Sequence, residues 1–175
     1  MKKLIAILLL LVLVTSLAAC GEDTDGAPED MKNVAVENAK FYLYVPDLWL
    51  SQSQGGVSGA LSPKGNANVI ATVYLPDTYQ TPKTYWEEKC LNEYTAVLTE
   101  FTVIESECGE TTLGGVNAYK YVFTHKMGDQ IYKQMQVIAV DSAMVYTVQY
   151  TAVQGEAYDE WLADAQTICA NFTLR

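Results

Sequence analysis

The chain has 175 residues, half of them hydrophobic, with 11 Lys and Arg against 21 Asp and Glu and a formal charge of −10. So acidic a protein lacks the basic surface that nucleic-acid phosphates need, and it has no second, electrostatic grip on anionic lipid. One histidine and four cysteines without paired spacing offer no zinc site.

The first nineteen residues read as a signal peptide. Lys2 and Lys3 form a positive start, and Leu4 to Val14 is an uninterrupted apolar run. That run is short for a membrane span, which needs about 20 residues, and it ends among small residues. Leu17-Ala18-Ala19-Cys20-Gly21 follows. It resembles the bacterial lipobox, which implies that the Cys20 thiol carries diacylglycerol and that the chain is cut before it. The resemblance also implies acylation of the new amino terminus, and two or more chains anchor stably where one is marginal. Loss of Lys2 and Lys3 leaves 9 basic against 21 acidic side chains, or −12 for the mature protein.

From residue 20 to 39 the composition changes. Glu22, Asp23, Asp25, Glu29 and Asp30 lie among Gly and Pro with little that is apolar, so a flexible acidic tether is expected. Asp23-Thr24-Asp25-Gly26 departs from a calcium loop, because Asp25 adjoins the Gly and Lys32 stands where the loop needs Glu.

Residues 40–175 then form one domain large enough to bury a core. Phe41 to Val45 reads as a strand, Gly55 to Pro63 as a weaker one, and Asn68 to Leu75 as a stronger one. Thr81-Pro82 suits a helix start, an N-cap followed by Pro at the first helical position. Trp86, Cys90, Tyr94, Val97 and Leu98 follow at helical spacing. Strands are predicted at Phe101 to Cys108, Val116 to Lys126, Ile131 to Val140 and Val145 to Ala152. Gly128-Asp129 and Asp141-Ser142 supply turns. A last helix near Glu156 to Phe172 carries the stripe Trp161, Ala165, Ile168, Cys169 and Phe172. Short turns make the strands antiparallel. The class is α+β, an antiparallel sheet of about six to seven strands flanked by two helices.

Tyr44-Val45-Pro46-x-x-Trp49, Leu113-Gly114-Gly115-Val116-Asn117-Ala118, and Tyr150-Thr151-Ala152 with Tyr158, Ile168 and Phe172 together resemble the PsbP-like superfamily. The resemblance spans nearly all of residues 40–175. It implies a three-layer sandwich with helices on both sheet faces, used by its members for binding. No catalytic residues come with it.

The chemistry-bearing residues are few. His125 falls at the end of a hairpin strand and reads as a solvated side chain, not as the base of a hydrolase. Gly56-Val57-Ser58-Gly59 is out of frame for a nucleophile elbow. Asn171-Phe172-Thr173 matches a glycosylation sequon by coincidence. Glu105 with Glu107, and Glu87 beside Glu88, sit among polar residues and lack the burial that tunes a glycosidase pair. Tyr119, Tyr121 and Phe123 share one side of their strand. A two-residue turn at Gly128-Asp129 places Gln134 and Gln136 opposite, making a candidate ligand face for a sugar or peptide. The competing reading is core packed under a helix. Tyr146, Val148 and Tyr150 form a second stripe, and one residue in the preceding turn decides whether the stripes share a face.

Among the remaining cysteines, Cys90 and Cys108 are the better-placed disulfide pair. Cys90 lies about 16 Å before Phe101 along a helix and Cys108 about 24 Å beyond it along an extended strand. A twisted or bulged strand would have to absorb the difference. Three separate buried thiols are the equal alternative. The expected function is a non-enzymatic binding or accessory lipoprotein held outside the cytoplasm by lipid on Cys20, its partner protein or small molecule unnamed, with no cofactor or metal. A small-ligand carrier or sensor and, further behind, an envelope hydrolase are the alternatives.

Overall fold

A computed structural model describes residues 26–75 and 81–175. Cys20 and the first part of the acidic segment lie outside the described residues. The architecture is α+β. Eight antiparallel strands form one sheet, in the order β4 (Leu50–Ser51), β5 (Ser58–Leu61), β6 (Ala67–Tyr74), β11 (Met144–Val153), β10 (Gln130–Asp141), β9 (Val116–Met127) and β7 (Thr99–Val103). β8 (Gly109–Leu113) also pairs with β9, beyond β7. Two small sheets pair β1 (Met31–Asn33) with β3 (Tyr44–Pro46), and β2 (Phe41–Tyr42) with β12 (Thr173–Leu174).

The count exceeds the expected six to seven for local reasons. The predicted strand from Phe101 to Cys108 breaks at a 3-10 turn, Glu105–Glu107, so these two glutamates do not share a side of a strand. At the break the Cys108 thiol replaces ladder partners. It donates to the Ile104 carbonyl at 3.4 Å and accepts from the Val122 amide at 3.3 Å, leaving no buried polar group orphaned there. The short β4 adds the eighth strand.

Within the segment 20–39, expected to be a flexible tether, residues from Met31 onward pack on the domain. Met31 to Asn33 pair with Pro46 to Tyr44, and Val34 is 5% exposed within the main core. The Asn33 side-chain oxygen accepts from the amides of Ala35 and Leu43, fixing the turn that buries Val34. Acidic neighbours do not prevent packing, since Met31, Ala35 and Ala39 lie against the same core as Val34.

The first helical region starts where local chemistry dictates. The Thr81 hydroxyl accepts from the Thr84 amide at 3.1 Å, and the Thr84 hydroxyl accepts from the Thr81 amide at 3.2 Å. The helix runs as α1 (Pro82–Tyr85), a π-helical turn (Trp86–Cys90) and α2 (Leu91–Val97). The closing helix is α3 (Glu156–Asn171). α3 covers the first face of the sheet, where Trp49, Val69, Val148, Tyr150, Tyr158, Ala165, Ile168 and Phe172 make one core. Trp49 donates through Nε1 to Asp164 at 2.9 Å, and the Tyr150 hydroxyl donates to the Tyr158 carbonyl at 2.7 Å. The helix from Pro82 covers part of the second face, over a separate core of Tyr85, Trp86, Cys90, Tyr121, Phe123, Ile138 and Val145.

Gly114 shows why a short motif residue is required. Its φ is +61°, and a Cβ there would stand 2.8 Å from Leu174 Cγ. The glycine lets the β8–β9 turn lie against the C-terminal strand. No helix among the described residues is long and apolar enough to cross a membrane.

Candidate functional site

Gly128 takes φ +62° and Gly128-Asp129 forms a two-residue turn. Gln134 therefore lies opposite Phe123, and Gln136 opposite Tyr121. The five residues Tyr119, Tyr121, Phe123, Gln134 and Gln136 do share the second face.

That face is not an open ligand site along its length. Trp86 stacks on Tyr121 with ring centres 4.0 Å apart and planes within 6°. The Tyr94 hydroxyl donates to Gln136 Oε1 at 3.0 Å, and Gln136 Nε2 reaches the Cys90 sulfur at 3.9 Å. Tyr121 is 7% exposed and Gln136 only 3%. The helix is seated there because its own apolar side needs the aromatic surface, and Gln136 is tolerated because both of its amide atoms find partners. Burial raises the pKa values of Tyr85, Tyr94 and Tyr121 well above the ordinary phenol value. The Tyr94 hydroxyl serves as a structural donor. Tyr119 stays half-buried at the margin, under the Lys83 ammonium 4.8 Å from its ring centre. Beside it Thr81, Glu110, Thr111 and Asn117 line a hollow of about 430 Å³.

The pairing of Cys90 with Cys108 does not form; both are free thiols, as is Cys169. The strand that would have carried Cys108 ends at Val103, and each sulfur already has its own partner, Gln136 for Cys90 and Ile104 for Cys108. Burial pushes the Cys90 thiol up to about 11, with Glu93 adding to it, and the Cys169 thiol up to about 12. Neither is an activated nucleophile.

His125 is also corrected. It is 7% exposed, not a solvated tip residue. Its ring stacks on Tyr132, the residue paired with it across the hairpin, and Gln134 Nε2 meets its Nε2 at 3.1 Å. Gln149 Nε2 in turn donates to Gln134 Oε1 at 2.7 Å. Gln149 was not singled out from the sequence, although Thr147, Gln149 and Thr151 alternate with the apolar stripe of β11. That polar alternation was the available signal. Glu107, meanwhile, pairs with Lys133 at 2.7 Å, and no three ligand-type side chains cluster for a metal among the described residues.

No protein-family model and no curated protein matches the chain. Solved structures do. Cyanobacterial PsbP (CyanoP) from Synechocystis shares 13% identity at a TM-score of 0.60, covering 91% of this chain and 99% of that one. LpqN, described as involved in cell envelope biogenesis of Mycobacterium tuberculosis, shares 17% at 0.57, covering 82% and 91%. The Ran-binding protein Mog1p of Saccharomyces cerevisiae shares 7% at 0.57, covering 82% and 95%. The chain has a PsbP-like fold.

Proposed function

We propose that the protein is a lipid-anchored lipoprotein of the cell envelope, displayed outside the cytoplasm, whose domain binds rather than catalyses. The observation that carries the binding reading is the closure of the Tyr/Gln face by Trp86 and Tyr94. With that surface packed, the enclosed carrier site expected there has no room, and recognition falls to the remaining outer surface. The similarity in fold to LpqN, a protein of cell envelope biogenesis, and to a Ran-binding protein supports an accessory role. The anchor rests on the order of Lys2-Lys3, the apolar run and Leu17-Ala18-Ala19-Cys20.

The test has two arms. Cells fed labelled palmitate should label the wild-type chain and not Cys20→Ala; label on the variant overturns the anchor. Incubation of the protein with purified envelope polysaccharide and peptidoglycan should release no new reducing ends or peptides. Sustained turnover by the wild type would replace the binding reading with the hydrolase.

A further inference from the structure

The helix from Pro82 to Val97 covers only one part of the second face. Past its C-terminal end the face continues across four strands. His125 of β9 and Tyr132 and Gln134 of β10 lie at one side, followed by Thr147, Gln149 and Thr151 of β11. Opposite these stand Thr72, Ile70 and Asn68 of β6, then Gly59 of β5. Ile70, Thr72 and Tyr74 are exposed, while Gln149, Thr151 and Tyr132 are half-buried.

We propose that this uncovered half of the second face binds a neutral glycan chain. The inference deepens the binding reading above by naming a ligand class for it, and it is independent of the anchor.

Charge is the first argument. None of the sheet side chains of this surface is charged, in a protein whose mature form carries 9 basic and 21 acidic side chains, and the Lys89 ammonium that borders it over the Tyr74 ring is paired with Glu93. A neutral polar ligand is met here by neutral polar groups.

The second argument is the order already built into those groups. His125, Gln134 and Thr147 are each more than nine-tenths buried, yet all belong to this polar row. His125, Gln134 and Gln149 are hydrogen-bonded in sequence across three strands, and the Thr72 and Thr147 hydroxyls pair at 2.7 Å beside them. Amides and hydroxyls held in fixed geometry serve both as donors and as acceptors, matching sugar hydroxyls that do the same.

Shape is the third. From His125 to Ile70 the row crosses three strand spacings, about 14 Å, the span of a short oligosaccharide. The Tyr132 ring, half-buried and stacked on His125, stands at one side, giving a flat surface for the apolar face of a sugar ring. Gly59 leaves the surface beside Ile70 without a side chain, and a Cβ there would stand 3.1 Å from the Val69 carbonyl. A peptide strand binds through main-chain groups at a sheet edge, and these groups are in the middle.

The experiment uses the full chain in a zwitterionic detergent, titrated with maltohexaose, cellohexaose and chitohexaose and followed by saturation-transfer NMR and tyrosine fluorescence. At least one hexasaccharide should bind saturably. Gln149→Ala and Ile70→Glu should each weaken that binding about tenfold or more. Lys83→Ala, on the covered half, should not. Melting temperatures of the variants show that they fold, and Gln149→Ala serves alone if Ile70→Glu does not. Saturable binding of none of the three sugars overturns the proposal, as does binding indifferent to both face variants. Displacement of the sugar by tetra-alanine or decanoate at equal concentration also overturns it, in favour of a peptide or lipid ligand. Sugar binding with no lipid on Cys20 would remove the anchor and leave this site standing; the opposite result would remove this site alone.

Discussion

The two faces of the sheet are built from the same alternating strands but are finished differently. The first face is covered by α3, by the N-terminal strands and by β12, and its core includes Trp49, Leu43, Val45, Tyr150 and Ile168 with almost no exposure. Among the described residues the second face is closed over parts of β7, β9, β10 and β11, and its core mixes Trp86, Tyr121 and Phe123 with a thiol and a buried amide. Burial of apolar area makes the first face the main source of stability. The second has polar side chains where the helix ends, which is where a protein of marginal stability can keep surface available for recognition.

This comparison can be broken most directly by truncating one aromatic anchor on each side. Trp49→Ala removes a fully buried indole, its edge contact with Trp161 at 6.0 Å and its hydrogen bond to Asp164. It should cost about 3–5 kcal/mol in urea unfolding. Trp86→Ala should cost less, because its neighbours border open surface and can relax. Equal losses would mean that the two faces contribute alike.

A smaller effect tests how far the first face extends. A chain beginning at Lys40 lacks β1 and the buried Val34, whose burial alone is worth about 1.5–3 kcal/mol. Calorimetry should show its melting temperature lowered by about 5 °C or more. An unchanged temperature would return residues 31–39 to the tether.

The smallest effect separates the faces by titration. Cys90 on the second face and Cys169 on the first have thiol pKa values pushed up to about 11 and about 12 by burial. The unfolded chain releases these protons near the ordinary thiol value, about 8.5, so it binds fewer protons than the native state above that pH. Stability is therefore full below about pH 8.5 and declines as pH rises toward 11 and 12. Thiol labelling at pH 8 should reach the half-buried Cys108 first and Cys169 only on unfolding. Rapid labelling of Cys169 in the native protein would contradict a sealed first face.

Much of the fold was legible in the residues, and the parts that were share a cause. Thr81-Pro82, Gly128-Asp129 and the stripe from Trp161 to Phe172 each encode a feature whose partners lie within a few residues. The 20–39 segment misled because composition averages over a stretch, whereas Val34 is buried by what Asn33 and Leu43 do together. The disulfide expectation failed because it took Phe101 to Cys108 as one straight strand.

The candidate site was legible as a list of side chains on one face but not as an open or closed surface. The alternation Tyr119, Tyr121, Phe123 and the turn after Met127 suffice to place Gln134 and Gln136 opposite them, since register follows from turn length and a period of two. The next turn lies at Ser142-Ala143, one residue later than expected, with both residues at positive φ. Its two-residue length, not its position, puts Tyr146, Val148 and Tyr150 on the first face and Thr147 and Gln149 on the second. Which part of the second face the helix covers depends on Trp86 meeting Tyr121 from 35 residues away in the chain. Contacts between distant segments are set by how whole surfaces fit, and no local window of sequence contains both halves of that fit. The sequence determined the elements and their sidedness; the tertiary structure alone decided which half of the second face would remain uncovered.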